Sequence, residues 1–132
     1  MRYNQTKHAL LYLQKLKAKG EEFIDKLAST LESLYPSCFT LSKESSTRAR
    51  LNCFGLPLLI RVEVDLHEDD LAHLRIYLLD DSTPPELQKI GLEYTLDDLG
   101  NVNRDMTIDE ATGWFGADLL QHLREQKIAL VL

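Results

Sequence analysis

The chain has 132 residues, of which 44% are hydrophobic and 27% are charged, and its formal net charge at pH 7 is −6. This length and composition are typical of a soluble globular protein with one domain over residues 1–132. The longest apolar runs are too short to span a bilayer, and the polar first residues do not resemble a secretory signal. Two cysteines without such a signal indicate free thiols in a reducing compartment, so we expect a cytoplasmic protein.

Charge is distributed unevenly along the chain. Residues 1–62 contain ten Lys or Arg and five Asp or Glu, and residues 63–132 contain five and sixteen, so the two parts carry net charges of +5 and −11. Two interpretations stay open: a basic helix and an acidic sheet that attract each other within one fold, or an acidic surface that binds a basic protein or peptide. At a pI of about 5.1 we do not expect nucleic-acid binding, because neutralising phosphates requires a clustered basic face.

The first predicted element is a long amphipathic helix over residues 6–35. Its apolar residues recur at three- and four-residue steps and form one stripe. Gly20 lies on this stripe, so the helix either continues there with close packing or breaks into two, and we favour one continuous helix. Pro36 ends it, because a proline disfavours helical geometry at the preceding residue.

Two short strands, residues 38–41 and 49–54, are predicted next. Placing their apolar side chains on one face sets Phe39 opposite Cys53 and Leu41 opposite Leu51.

The clearest pattern is the alternation of apolar and polar residues in segments 58–66 and 74–79, which an acidic turn separates. Strict alternation indicates an antiparallel hairpin with one buried face. Matching the apolar faces pairs Val62 with Leu78 and places Asp65 opposite Arg75.

The remaining segments complete the predicted fold. A proline-containing loop over residues 80–85 precedes a strand over 90–96, a short edge strand over 102–105 and a helix that Thr107 and Glu110 begin as a capping box. The order predicts a two-layer α+β sandwich, in which an antiparallel meander of about five strands carries the long N-terminal helix and the C-terminal helix on one face.

No strong catalytic or cofactor motif is present, so the sequence assigns no catalytic residue and no cofactor. The best metal candidates are polar residues of the central hairpin, where two imidazoles and two carboxylates fit Zn²⁺ or Mn²⁺: Glu63, Asp65, His67 and His73. An exposed hairpin tip lacks the walls of a catalytic metal cavity. We therefore favour a solvated turn and assign no metal.

Two apolar features are candidates for an interface. Trp114 flanks the predicted buried stripe of the last helix, and tryptophan is enriched in protein interfaces. The last five residues are all apolar and are expected either to add a strand to the sheet or to contact another chain: Ile128, Ala129, Leu130, Val131 and Leu132.

These observations favour a small acidic intracellular interaction module, not an enzyme, that is dimeric and binds a basic partner as an adaptor, a chaperone-like binder or an inhibitor. One alternative is a small metal-dependent hydrolase that uses the Glu63, Asp65, His67 and His73 face. Another is a small-ligand-binding domain with a pocket between the sheet and the first helix, lined by Phe23, Leu27, Val62 and Ile76.

Overall fold

The computed structural model describes the backbone of residues 3–80 and 86–132, with side chains from residue 5 onwards. The elements in these residues are α1 Tyr3–Leu34, β1 Phe39–Ser45, β2 Arg48–Cys53, β3 Leu56–Glu63, β4 Ala72–Leu79, β5 Leu87–Leu96 and α2 Ile108–Glu125. Sheet neighbours are consecutive in sequence and antiparallel, and both helices pack on one face. The predicted α+β meander is confirmed. The proline residues of the predicted loop lie outside the described residues.

α1 is one continuous helix through Gly20, as favoured from the sequence. Glycine is required there because a Cβ atom would lie 2.8 Å from Cγ1 of Val62 on β3. The helix therefore approaches the sheet more closely than any larger residue permits.

The core lies between the sheet and the two helices, and three aromatic rings connect its layers. The Tyr94 ring on β5 lies 5.5 Å from the Phe23 ring on α1 and 6.1 Å from the Phe115 ring on α2. Its hydroxyl donates to Asp118 of α2 at 2.7 Å. Burial, followed by this hydrogen bond, raises the pKa of Tyr94 above its ordinary value.

The predicted register is correct in the first hairpin and wrong in the central one. Phe39 pairs with Cys53 as expected, but Val62 pairs with Leu74 instead of Leu78. The shift is an even number of residues, so the same side chains stay on the buried face and the apolar pattern cannot distinguish the two registers. β3 consequently ends at Glu63, and residues 64–71 form a longer connection than the predicted turn.

The segment after β5 differs from the predicted edge strand. Val102 forms only isolated bridges with Leu96 and Met106. The N-cap of the predicted capping box is confirmed, since the Thr107 hydroxyl accepts from the Glu110 N–H at 3.1 Å, and the Glu110 carboxylate accepts from the same hydroxyl at 3.2 Å.

The C-terminal residues do not form the strand that was one of the two expectations. The Ile128 N–H donates to the Leu123 carbonyl, and Ile128 and Leu130 pack against the core. Val131 and Leu132 remain 84% and 97% exposed. Their predicted role in an interface is therefore still a prediction.

Candidate functional site

Arg75 on β4 is the centre of an ion-pair network on the outer face of the sheet, opposite the helices. Its guanidinium lies 2.7 Å from Asp65, 2.6 Å from Glu93 and 3.9 Å from Glu63. The hydrogen bond between Arg75 and Asp65 raises the pKa of Arg75 and lowers that of Asp65. The expected Asp65–Arg75 pair thus forms, although Asp65 lies beyond the end of β3 and not in the predicted register.

His73 connects this network to the β3–β4 connection. The residue is 8% exposed, with Nδ1 2.9 Å from Glu93 and Nε2 2.9 Å from Asp69. Both ring nitrogens can donate to carboxylates only in the imidazolium form. The hydrogen bond from His73, followed by that from the Leu71 N–H, lowers the pKa of Asp69. His73 therefore holds residues 64–71 against the edge of the sheet.

Tyr77 makes the outer face more buried than its polar sequence predicts. The Tyr77 hydroxyl donates to Glu63, and the Arg61 guanidinium lies 5.3 Å from the Tyr77 ring centroid. Burial, followed by the contact with Glu63, raises the pKa of Tyr77 to about 12. Leu59, which pairs with Tyr77, is fully buried on this face. The outer face is a packed polar layer.

Three of the four metal candidates lie near one another, since Glu63 pairs with His73 and Arg75 contacts both Glu63 and Asp65, but each of the three is engaged by other side chains. Glu63 and Asp65 contact arginines, His73 lies between two carboxylates, and the His67 side chain is 82% exposed and 3.8 Å from Glu68. Within residues 3–80 and 86–132 no group of three or more His, Cys, Asp or Glu side chains could hold a metal ion. The network holds loops and strands together, and its carboxylates face cations instead of open solvent.

The length of α1 creates a second feature at the same end of the sheet. Its 32 residues span about 48 Å at about 1.5 Å per residue, whereas the longest strand, with 10 residues, spans about 33 Å at about 3.3 Å per residue. The helix must therefore extend past the sheet. Leu16 is its first fully buried residue, and residues 5–11 are all exposed. We call residues 5–15 the arm.

A groove of about 430 Å³ lies between the arm and the β3–β4 connection. Ala9 and Leu13 form its helical wall, and Val64 and Leu66 form the wall opposite. Leu66 is 74% exposed, so this wall is open to a partner. Its complete lining is His8, Ala9, Tyr12, Leu13, Val64, Leu66 and Asp70.

Tyr12, which lines the groove, lies near several carboxylates. Its hydroxyl donates to the Asp70 carbonyl. Burial raises the pKa of Tyr12, and the nearby negative charges raise it further, in the order Asp98, Asp70, Asp97 and Asp69. We call these four aspartates the acidic end. They come from the β3–β4 connection and from the turn after β5, which meet because Ala72 pairs with Leu96.

The four carboxylates of the acidic end differ in whether they already have an ion-pair or hydrogen-bond partner. Asp69 pairs with His73, and the Asp97 carboxylate accepts from backbone N–H groups of its own turn. In the part of the chain that the structure describes, the Asp70 and Asp98 side chains form no ion pair. Asp70, which lines the groove, and Asp98, in the neighbouring turn, therefore remain available for a cation.

The other predicted surfaces are less complete as sites. Trp114 is 63% exposed on α2. Phe23, Leu27 and Ile76, which were expected to line a pocket, belong to the hydrophobic core cluster and are at most 1% exposed. The open groove lies farther along α1, beside Ala9 and Leu13.

Sequence reasoning identified the acids at this end of the sheet but not the groove. Ala9 and Leu13 continue the buried stripe of α1, so their position in the wall of an open groove does not follow from periodicity. The signal for the groove in the sequence is the length of the first helix, because the predicted helix is longer than any predicted strand and must extend past the sheet.

Comparisons with family models, curated proteins and solved structures give no match to this chain. Across residues 3–80 and 86–132, neither helix combines the length and apolar character needed to cross a membrane. Function must therefore be argued from the chain's own residues.

Proposed function

We propose that this protein is a small interaction module that binds a basic, partly apolar helical segment of a partner protein in the groove. The observation that carries this proposal is the apolar groove lined in part by Asp70, a carboxylate without an ion-pair partner among the described residues, and extended by the turn of Asp98, which the Ala72–Leu96 pairing brings to the same end of the sheet. As an adaptor, chaperone-like binder or inhibitor, the module would need no catalytic group.

Apolar and charged contacts have different roles in this proposal. The side chains of Leu13, Val64 and Leu66 offer apolar surface whose burial supplies most of the affinity. The acidic end attracts a basic segment and orients it, which raises the association rate more than the affinity. The preferred ligand therefore combines Leu-like and Lys-like side chains on adjacent turns of a helix.

The apolar part is tested with a fluorescent helical peptide of about 14 residues built from Leu and Lys. Leu66→Glu introduces a charge into the groove wall, and we expect anisotropy titrations to show at least about tenfold weaker binding. Leu120→Glu is the control, because Leu120 is a 42% exposed leucine on α2, outside both the groove and the acidic end. Equal binding by both variants would contradict the proposal.

The charged part is tested with the same peptide. Asp70→Asn together with Asp98→Asn should weaken binding and reduce its salt dependence, because exposed charges are screened by salt. Glu86→Gln with Asp105→Asn removes the same net charge from exposed positions elsewhere and should leave binding unchanged. A Leu/Glu peptide that binds as well as the Leu/Lys peptide would refute the role of the acidic end.

We also propose that the module is a homodimer of the cytoplasm. Support for a reducing compartment comes from Cys38 and Cys53, which are both free thiols. Support for self-association comes from the apolar side chains that stay exposed in a single copy, which include Leu10, Trp114 and Val131.

A further inference from the structure

We infer that, in the absence of another partner, the groove of each copy is filled by the arm of a second copy, in a twofold-symmetric dimer. This inference rests on the proposed function, because it names the first occupant of the same groove. It also implies that the partner and the second copy compete.

The arm has the chemistry that the groove is proposed to accept. The arm contains Lys7 and Lys15 and no Asp or Glu. Leu10 and Leu11 in the arm are 56% and 46% exposed, and Lys7 and Lys15 lie one turn before and after Leu11 on the same helical face. The arm is thus a basic, partly apolar helical segment whose Leu10 and Leu11 side chains are exposed in the single chain.

The arm of one chain cannot fill its own groove. Ala9 and Leu13 already form one wall of that groove, so the arm is part of the receptor. A second copy can supply the missing helix. A twofold axis beside Ala9 allows each arm to form a wall of its own groove and to bind in the groove of the other copy. Ala9 permits close approach of the two helices because its side chain is a single methyl group.

Charge complementarity favours this pairing over random contact. The acidic end contains four aspartates, and the segments that hold them, residues 66–72 and 95–101, contain no Lys or Arg. A basic arm and an acidic end therefore lie next to each other on one chain, each carrying little charge of the opposite sign. Twofold pairing places each arm against the other copy's acidic end, and it forms this contact twice.

Sedimentation equilibrium over a concentration series tests the interface by charge reversal. Lys7→Glu with Lys15→Glu reverses the arm, and Asp70→Lys with Asp98→Lys reverses the acidic end. Each variant alone should shift to monomer because both contacts of its homodimer become repulsive. An equimolar mixture should recover the dimer as a heterodimer of the two variants. In one of its two contacts both partners carry reversed charges, and in the other both carry native charges, so both contacts are attractive.

Controls separate this interface from general charge effects. Lys89→Glu with Lys127→Glu reverses two exposed charges outside the arm and should remain dimeric like the unmodified chain. The inference is overturned if the unmodified chain is monomeric throughout the series, if either reversed variant stays dimeric, or if mixing restores no dimer.

The proposed function is tested independently on the arm-reversed variant, which keeps an unaltered acidic end. As a monomer it should bind the Leu/Lys peptide, and it should also bind a synthetic peptide of residues 3–17. If it binds the Leu/Lys peptide while the unmodified chain is monomeric, only the dimer inference fails. If the mixing test succeeds but this peptide does not bind, only the proposed function fails.

Discussion

The two parts of α1 have the same apolar periodicity and opposite environments. From Leu16 to Leu31 the stripe is buried against the sheet and α2, whereas residues 5–11 are exposed. Periodicity records that a helix has an apolar side, but the length of the surface beneath decides how much of it is covered. The difference teaches that, where the apolar stripe of a helix continues beyond the part that packs in the core, the exposed part marks a contact surface.

The arm nevertheless remains helical. Nucleation is the costly step of helix formation, and propagation from an existing helix adds a hydrogen bond for each residue that is fixed. The packed part therefore supports the exposed residues 5–11, and Tyr12 and Leu13 add contacts to the core and to Asp70. This makes the arm the region of α1 with the lowest local stability.

The largest expected effect comes from truncating one leucine in each part of the helix. Leu27→Ala should lower the free energy of unfolding by about 2–5 kcal/mol, because it leaves a cavity at a fully buried position. Leu11→Ala should change it by less than about 0.5 kcal/mol in urea denaturation of the monomer. Similar losses for both would mean that the arm is packed in the single chain.

A smaller effect is expected at the closest approach of α1 to the sheet. Gly20→Ala gains about 1 kcal/mol in helix propensity, but its Cβ would contact the branched Val62 side chain, and overpacking costs about 1–3 kcal/mol. We expect net destabilisation in thermal or urea unfolding. In a double-mutant cycle, Val62→Ala should reduce this cost. Independent, additive effects would show that Gly20 is not needed for the approach.

The smallest effect is expected at Tyr12, where the arm meets the acidic end. Its pKa is raised by burial and then by four aspartates. Removing two of the charges with Asp70→Asn and Asp98→Asn should lower the Tyr12 pKa part of the way to its ordinary value, since a negative neighbour disfavours phenolate. The measurement is an NMR titration of labelled tyrosine, assigned with Tyr12→Phe. Added salt should reduce the difference between variant and unmodified chain, and an unchanged pKa would place these charges elsewhere.

Local patterns were sufficient for most of the fold. Period-two alternation identified the strands, Pro36 the end of α1 and Thr107 the start of α2, because each reflects chemistry within a few residues. The central register was wrong because moving Val62 from Leu78 to Leu74 keeps the same face buried. What separates the two registers is the length of the connection over residues 64–71, which pairing of apolar faces does not specify.

The candidate site was less predictable than the fold. The acids around residues 63–70 were visible, but their partners depend on contacts distant in sequence, such as His73 with Glu93 and Tyr12 with Asp70. The alternation over residues 58–66 predicts a buried Leu66, whereas the shifted register leaves it 74% exposed in the groove wall. One error in register thus concealed a wall of the groove.

The packing of α1 on α2 has a consequence for biosynthesis. Thr30 lies 3.4 Å from Thr112 through their hydroxyl oxygens, and a Cβ at Gly116 would lie 2.9 Å from the Tyr35 ring, so the two helices depend on each other. A ribosome makes α1 first and completes the whole sheet before α2. At about 5–20 residues per second, several seconds pass between the synthesis of α1 and that of α2. During this time the part of the apolar face of α1 that packs against α2 stays uncovered. Newly made chains should therefore be clients of co-translational chaperones until the last helix leaves the exit tunnel.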